Sequence, residues 1–250
     1  MVSQCLNGLK MELHEPFHKS ERNVRGTWRW PPTSLLASVG DASRNRLLSS
    51  GTMREYPADR RLITQGDTST FVVALLDGVV KVTGVSSSGR EALLAIRIGG
   101  DILGELAAID NRPRSCTVTA CGPVTGCVIM QADFLAVLAR DRSLAEAVSR
   151  SVVAKLRAGT ERQMEFAAFD APTRFARVLR ELAGSYGERS GNRVTISWPV
   201  TQNELASLAS VAEPTAQKAL RQLRKAGVIS TGYRSLTIED FSALNRIAGA

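Results

Sequence analysis

The chain has 250 residues, 44% of them hydrophobic and 22% charged, with a net charge of +8. That length suits one large or two small domains with real cores, and the composition is that of an ordinary globular protein. No apolar run reaches the ~18 residues that a membrane span needs. The opening residues lack the apolar stretch of a secretory signal, so a cytoplasmic protein with no membrane partner is expected.

The four cysteines, Cys5, Cys116, Cys121 and Cys127, include no C-x-x-C pair. Buried small hydrophobes are expected, with neither a disulfide framework nor a zinc site. The positive charge is uneven. Residues 171–250 carry 11 basic and 6 acidic groups, against 11 and 10 in residues 34–140. A basic C-terminal module on a nearly neutral body points to a polyanionic partner.

Residues 1–33 read as an irregular tail. His14 and His18 have the spacing of a helical metal pair, but Pro16 between them breaks that helix. From Leu62 the pattern turns to short strands. In "FVVALLDGVVKVTGVSSSGREALLAIRIGGD", Asp77-Gly78 and Ser88-Gly89 separate β-branched runs, and both read as hairpin turns. "GDILGELAAIDNRPRSCTVTA" and "CTVTACGPVTGCVIM" read as further apolar, strand-like segments. Strands this short and frequent predict a small β-sandwich or jelly roll over residues 34–140.

Helical periodicity takes over near Asp133, and residues 141–170 predict one long helix. Val152, Leu156, Gly159, Gln163 and Phe166 recur with a mean period of ~3.5 residues, the spacing of a two-stranded seam, so this helix is expected to dimerise the chain. Gly159 on that face costs about 1 kcal/mol of helix propensity and calls for a reason.

Residues 171–250 predict a winged helix-turn-helix. "APTRFARVLRELAGSYG" is a helix stopped at Gly187, followed by a polar turn, "ERSGNR", and a strand, "VTISWPV". Thr201 and Glu204 form a capping box for the next helix. Ser210-Val211-Ala212 make the turn. A second helix then carries Ala216, Ala219, Leu220 and Leu223 inward and ends at Gly227. "VISTGYRSLTIED" is the wing. The second helix shows Thr215, Gln217, Lys218, Arg221, Arg224 and Lys225 outward, a face suited to a negatively charged groove. The expected fold class is therefore α+β: an N-terminal sandwich, a long helix and a C-terminal winged helix-turn-helix.

This order resembles the cyclic AMP receptor protein/FNR (Crp/Fnr) family of bacterial transcription regulators over roughly residues 34–240. The most specific motif is the family's phosphate-binding cassette. Gly104-Glu105-Leu106-Ala107 and Pro113-Arg114-Ser115-Cys116-Thr117-Val118 are similar to it in residues and spacing. The resemblance implies a jelly-roll cyclic-nucleotide-binding domain and a cyclic nucleotide effector, cyclic AMP first. Gly104, Glu105, Leu106, Arg114, Ser115 and Cys116 would hold it. A desolvated cyclic phosphate keeps one negative charge, which the planar fork of Arg114 matches, with added donors from Ser115 and the Cys116 amide. Glu105 would take the ribose 2′-hydroxyl and also hold Arg114, while Gly104 lets backbone approach the sugar.

Gly159 and Thr160 fall where family members contact the base at the dimer seam. Gly159 offers no side-chain contact but leaves room for a purine. The DNA-contacting set implied here is Thr201, Gln202, Ala212, Glu213, Thr215, Gln217, Lys218 and Arg221, with Tyr233 and Arg234 in the wing. The best-known members carry Arg and Glu where this chain has Glu213 and Pro214, so a different operator is expected. The implied partners are a partly palindromic duplex, a second copy of the chain and RNA polymerase.

An iron–sulfur sensor would need several N-terminal cysteines, and only Cys5 lies in the tail. A haem sensor would use an internal histidine, and residues 19–250 contain none. No metal is expected. No G-x-S-x-G, H-E-x-x-H or P-loop is present, so an enzyme is not expected. The alternatives are a regulator of the same fold with another effector or none, and a cyclic-nucleotide-binding protein that does not bind DNA.

Overall fold

The computed structural model describes residues 28, 30–89, 91–196, 200–232 and 235–249. Two short helices, α1 (Leu35–Ser38) and α2 (Asp41–Ser49), precede the strands. Then come β1 (Thr52–Tyr56), β2 (Arg61–Ile63), β3 (Val72–Asp77), β4 (Val79–Val85), β5 (Glu91–Ile98) and β6 (Ile102–Leu103). A short helix, α3 (Glu105–Asp110), leads to β7 (Thr117–Ala120) and β8 (Val124–Ile129). These strands form two four-stranded antiparallel sheets, ordered β1-β8-β3-β6 and β2-β7-β4-β5.

Strand β3 shows why the sandwich forms. Its side chains alternate between two apolar clusters, as a period of two requires. Val73 and Leu75 join Ile63, Val80, Leu103 and Val118 between the sheets. Val72, Ala74 and Leu76 join Leu36, Leu47, Phe134 and Leu144 on the outer face, beneath the helices. A strand buried on both sides reads as a continuous apolar run, and "FVVALL" is one.

Two sequence expectations change here. Ser88-Gly89 does turn a hairpin, with β4 and β5 paired from Val79↔Ile98 to Val85↔Glu91 and a one-residue register shift between Val82 and Thr83. Asp77-Gly78 does not. It is the corner where the chain leaves one sheet for the other, with Gly78 at φ +90° and its N–H donating to the Asp77 carboxylate. Residues 105–110 are helical rather than strand-like, because Gly104 (φ +79°) and Asn111 (φ +56°) enter the left-handed region at either end.

Helix α4 (Gln131–Arg140) and the long α5 (Arg142–Ala168) follow. Asp141 caps α5, accepting from the Leu144 N–H and pairing with Arg46 on α2. The first turns of α5 bury Leu144, Ala147 and Val148 against the sandwich. Beyond them the helix is two-faced. Lys155, Gly159 and Arg162 turn toward the chain's own sandwich, while Val153, Leu156 and Met164 stand exposed, Leu156 at 69%. Of the expected seam, Val152 is half-buried and Leu156, Gly159 and Gln163 are exposed, and Val153 and Met164 add to the exposed apolar side beside Leu156. The Phe166 side chain lies outside the described residues.

The C-terminal module comprises α6 (Ala171–Tyr186), β9 (Glu188–Ser190), β10 (Arg193–Ile196), α7 (Gln202–Leu208), α8 (Glu213–Lys225), β11 (Ile229–Gly232), β12 (Ser235–Ile238) and α9 (Phe241–Ile247). Its antiparallel sheet runs β11-β12-β10-β9. Part of the expected polar turn, "ERSGNR", is thus the strand β9. The module packs on the body through one continuous cluster, in which Leu93, Ile96 and Ile98 of β5 meet Phe175, Leu179 and Leu182 of α6 and Leu205 and Leu208 of α7.

Candidate functional site

A cavity of about 450 Å³ opens where α3, β5, α5 and α6 meet. Gly104, Glu105, Leu106, Arg114, Ser115, Cys116 and Gly159 all line it. Thr160 does not; it is exposed and its hydroxyl donates to the Leu156 carbonyl.

Arg114 forms the floor and is 3% exposed. Its Nε donates to Ser69 Oγ (3.2 Å), and its terminal nitrogens donate to the carbonyls of Gly104 (2.8 Å) and Phe71 (2.6 Å). The guanidinium also lies 4.8 Å from the Phe71 ring centroid. Burial pulls its pKa below the ordinary arginine value. A guanidinium has five N–H donors, so two remain for a ligand. Gly104 serves this arrangement twice. It supplies the positive φ that starts α3, and a Cβ there would stand 2.5 Å from an Arg114 terminal nitrogen.

Glu105 does not hold Arg114. Its carboxylate, almost fully buried, accepts from Lys155 Nζ on α5 at 2.8 Å, and the same ammonium donates to the Ile102 carbonyl at 2.9 Å. The physical reason is direction: the Arg114 fork is saturated on one side by backbone carbonyls, whereas Lys155 reaches Glu105 from across the cavity. Lys155 was legible in principle, since it lies four residues before Gly159 on the same helical face.

Four cations line the cavity: Arg97, Arg114, Lys155 and Arg162. Lys155 has Glu105, Arg162 has Glu181 at 3.3 Å, and Arg97 acts on Asp101, whose pKa burial raises. Arg114 forms no ion pair among the described residues. Arg114 is thus a buried cation with no direct ion pair among those residues, acted on only through space by Asp67 and Glu105, and an anion brought to its free donors would be favoured. Burial also pushes the Cys116 thiol up, so Cys116 is a neutral wall residue beside that charge.

The second surface is the helix-turn-helix. Thr201 caps α7, and its reciprocal box with Glu204 is complete. Ser210 (φ +50°) makes the turn, and Ala212 opens α8. Arg174 of α6 braces this turn, donating to the carbonyls of Ala209 and Ser210 and, at the other side, to that of Phe169 between α5 and α6. Ala216, Ala219, Leu220 and Leu223 are buried, as expected, while Gln217, Lys218, Arg221, Arg224 and Lys225 are exposed. Thr215 is half-buried. Glu213 is exposed and accepts from Gln217 Nε2 at 3.2 Å. Gln202 stands exposed in the first turn of α7. Tyr233 and Arg234, expected at the wing tip, lie outside the described residues, as do His14, His18 and Cys5.

The leading ends of α7 and α8 face the β4–β5 hairpin across a cleft of about 660 Å³ lined by Thr83, Glu91 and Leu93 on one side and Thr201, Ala212 and Glu213 on the other. Lys81 of β4 ties the hairpin to α7, its ammonium 2.6 Å from Glu204, which lines the cleft. No helix among the described residues is long and apolar enough to cross a membrane.

Comparison with known proteins divides the chain in the same way. Residues 53–141 match the cyclic nucleotide-binding domain, and residues 173–247 match the Crp-like helix-turn-helix domain. A CRP-like cAMP-activated global transcriptional regulator of Mycobacterium tuberculosis is 29% identical over 195 residues, covering 78% of this chain and 87% of that protein. The cyclic AMP receptor protein of Thermus thermophilus is 25% identical over 196 residues, with the same coverages. Among solved structures, a CooA mutant from Carboxydothermus hydrogenoformans superposes with a TM-score of 0.70 at 18% identity, covering 88% of this chain and 98% of that one.

Proposed function

The chain belongs to the Crp/Fnr family of transcription regulators, and on that premise we propose that it is a homodimeric DNA-binding regulator controlled by a cyclic mononucleotide, cyclic AMP first. The observation that carries this reading is Arg114, a buried cation lining the cavity with two donors to spare and no direct ion pair among the described residues. A cyclic phosphate brings one negative charge to it. Ser115 lies beside it, and Glu105 and Lys155 stand ready for the sugar hydroxyl.

Control passes through β5 in this reading. Leu94, Ala95 and Arg97 line the cavity, whereas Leu93 packs with the DNA-binding module and lines the cleft before α7 and α8. A ligand that shifts β5 alters both surfaces. The exposed stripe of Val153, Leu156 and Met164 supports pairing of α5 with the same helix of a second copy, which places two recognition helices on a partly palindromic site.

Calorimetry of the purified protein with cyclic AMP and cyclic GMP tests the effector. Gel shifts on a random-sequence duplex pool, with and without the nucleotide, test the coupling, and sedimentation tests the dimer. Absence of binding heat with both nucleotides overturns the effector assignment. DNA binding that ignores a bound nucleotide overturns the control.

A further inference from the structure

One side chain ties the end of the long helix α5 to the turn of the helix-turn-helix. Resting on the dimeric DNA-binding reading above, we propose that Arg174 is a positioning residue for DNA recognition. It fixes α8 relative to α5 and so sets the separation at which two half-sites are read.

The joint between body and module is short, with only Phe169 and Asp170 between α5 and α6. Phe169 is the C-cap of α5, and its carbonyl is one of those a helix leaves without an intrahelical donor. Ala209 stands in the same position at the end of α7, followed by Ser210 in the left-handed turn. Arg174 serves both helix ends. It donates from Nη1 to the Phe169 carbonyl (2.7 Å), from Nε to that of Ala209 (3.0 Å) and from Nη2 to that of Ser210 (3.0 Å). A cation is favoured at the negative end of a helix dipole, and here one cation meets two such ends. Arg177, one turn further along α6, lies 4.1 Å from the Phe169 ring centroid and 3.2 Å from the Glu165 carboxylate of α5. Phe169 is thus held by its carbonyl and by its ring.

A planar guanidinium holds its acceptors in fixed directions, so a swivel at Phe169 breaks the bond on one side or the other. Ser210 leads within two residues to Ala212, the N-cap of α8. The apolar contacts of the module with the body run to β5 of its own sandwich, whereas the Arg174 clamp runs to the helix that pairs two copies in this reading. It therefore places α8 relative to the two-fold axis. A dimer reads half-sites about one helical turn apart. Linking two such contacts gains roughly 10²–10⁴ in affinity when the geometry fits, and that gain is what a loosened joint gives up.

The experiment uses the full-length protein, wild type and Arg174→Met, and the two-half-site duplex that wild type selects from a random-sequence pool with or without cyclic AMP. Gel shifts compare that duplex with one carrying a single half-site and with versions whose half-sites are moved apart or together by one or two base pairs. Arg174→Met is expected to lower the ratio of two-site to one-site affinity by about tenfold and to flatten its dependence on spacing. A merely structural role weakens both duplexes by the same factor and leaves the ratio and the preferred spacing fixed. Should Arg174→Met fail to fold in a thermal scan, Arg174→Lys carries the test. It keeps the charge but lacks the three-point fork, and is expected to move the ratio in the same direction. An unchanged ratio with an unchanged spacing preference in the folded variant overturns the assignment, and leaves the packing on β5 to set the separation. Wild type that selects no two-half-site duplex overturns the dimeric reading and this inference with it.

Discussion

Arg114 lies 3% exposed and gives three N–H groups to protein oxygens, whereas Lys218 and Arg221 on α8 stand in solvent with no ion pair among the described residues. Both are cations awaiting an anion, yet the physics of their partners differs. The cavity charge is already desolvated and aimed, so a ligand meets a fixed fork in a low-dielectric wall. The helix charges are wet and mobile, and their attraction is collective and screened by salt. One surface is built to recognise a single small anion and the other to accept a lattice of phosphates. Substitutions should separate them by magnitude and by salt response.

The largest effect is expected at Arg114. Removing one partner of a buried charged contact costs about 2–5 kcal/mol, which is roughly 30- to several-thousand-fold in nucleotide affinity. Arg114→Ala also leaves the carbonyls of Gly104 and Phe71 without their donor, so a fall in thermal stability should accompany it. Arg114→Lys separates the two losses: it keeps the charge but cannot span three acceptors. Calorimetry and thermal unfolding on both variants measure the division. Unchanged nucleotide affinity in Arg114→Lys would remove the fork from the recognition argument.

A smaller effect, of another kind, is expected on α8. Each cation that neutralises a phosphate contributes about 0.9 to the slope of log affinity against log salt. Lys218→Ala and Arg221→Ala should each lower that slope by roughly one while leaving nucleotide binding at its wild-type value. Titration of a fixed duplex at several salt concentrations reads the slope directly. A slope that neither substitution alters would place these side chains away from the backbone.

The same contrast governs what could be read from the sequence. The DNA-reading half was legible almost residue by residue, since the capping box at Thr201–Glu204, the inward Ala216, Ala219, Leu220 and Leu223, and the Gly227 stop (φ +70°) are local signals. The cassette of residues 104–107 and 113–118 was legible as a motif. Its wiring was not. Nothing local says that Lys155, 50 residues later, takes Glu105, or that Phe71 and Ser69 hold Arg114. The Asp77-Gly78 corner failed for a related reason: a turn dipeptide reports a reversal of the chain, while the sheet that receives the next strand is decided by packing. Glu181 and Tyr186 reach the cavity only because α6 docks on β5, a tertiary event with no sequence signature.

Gly159 gives the smallest expected effect and the sharpest test of the comparison. It sits inside α5, where glycine is about 1 kcal/mol worse than alanine, and a Cβ there meets no atom of its own chain. Packing within the chain therefore gives no reason for it. If the space is kept for a purine, Gly159→Ala trades the two properties against each other. Stability rises by about 1 kcal/mol, a shift of roughly 2–4 °C in Tm for a chain of this size. Nucleotide affinity falls, because Gly159 lines the same cavity as Arg114 and the added methyl takes up space there. DNA affinity without nucleotide stays put, since α8 is untouched. Thermal unfolding and calorimetry on one preparation measure both sides. Higher stability with unchanged nucleotide affinity would show that the base does not pass residue 159. A lower Tm would mean that a second copy of the chain occupies the space beside Gly159, where close helix approach rather than ligand access would require the glycine.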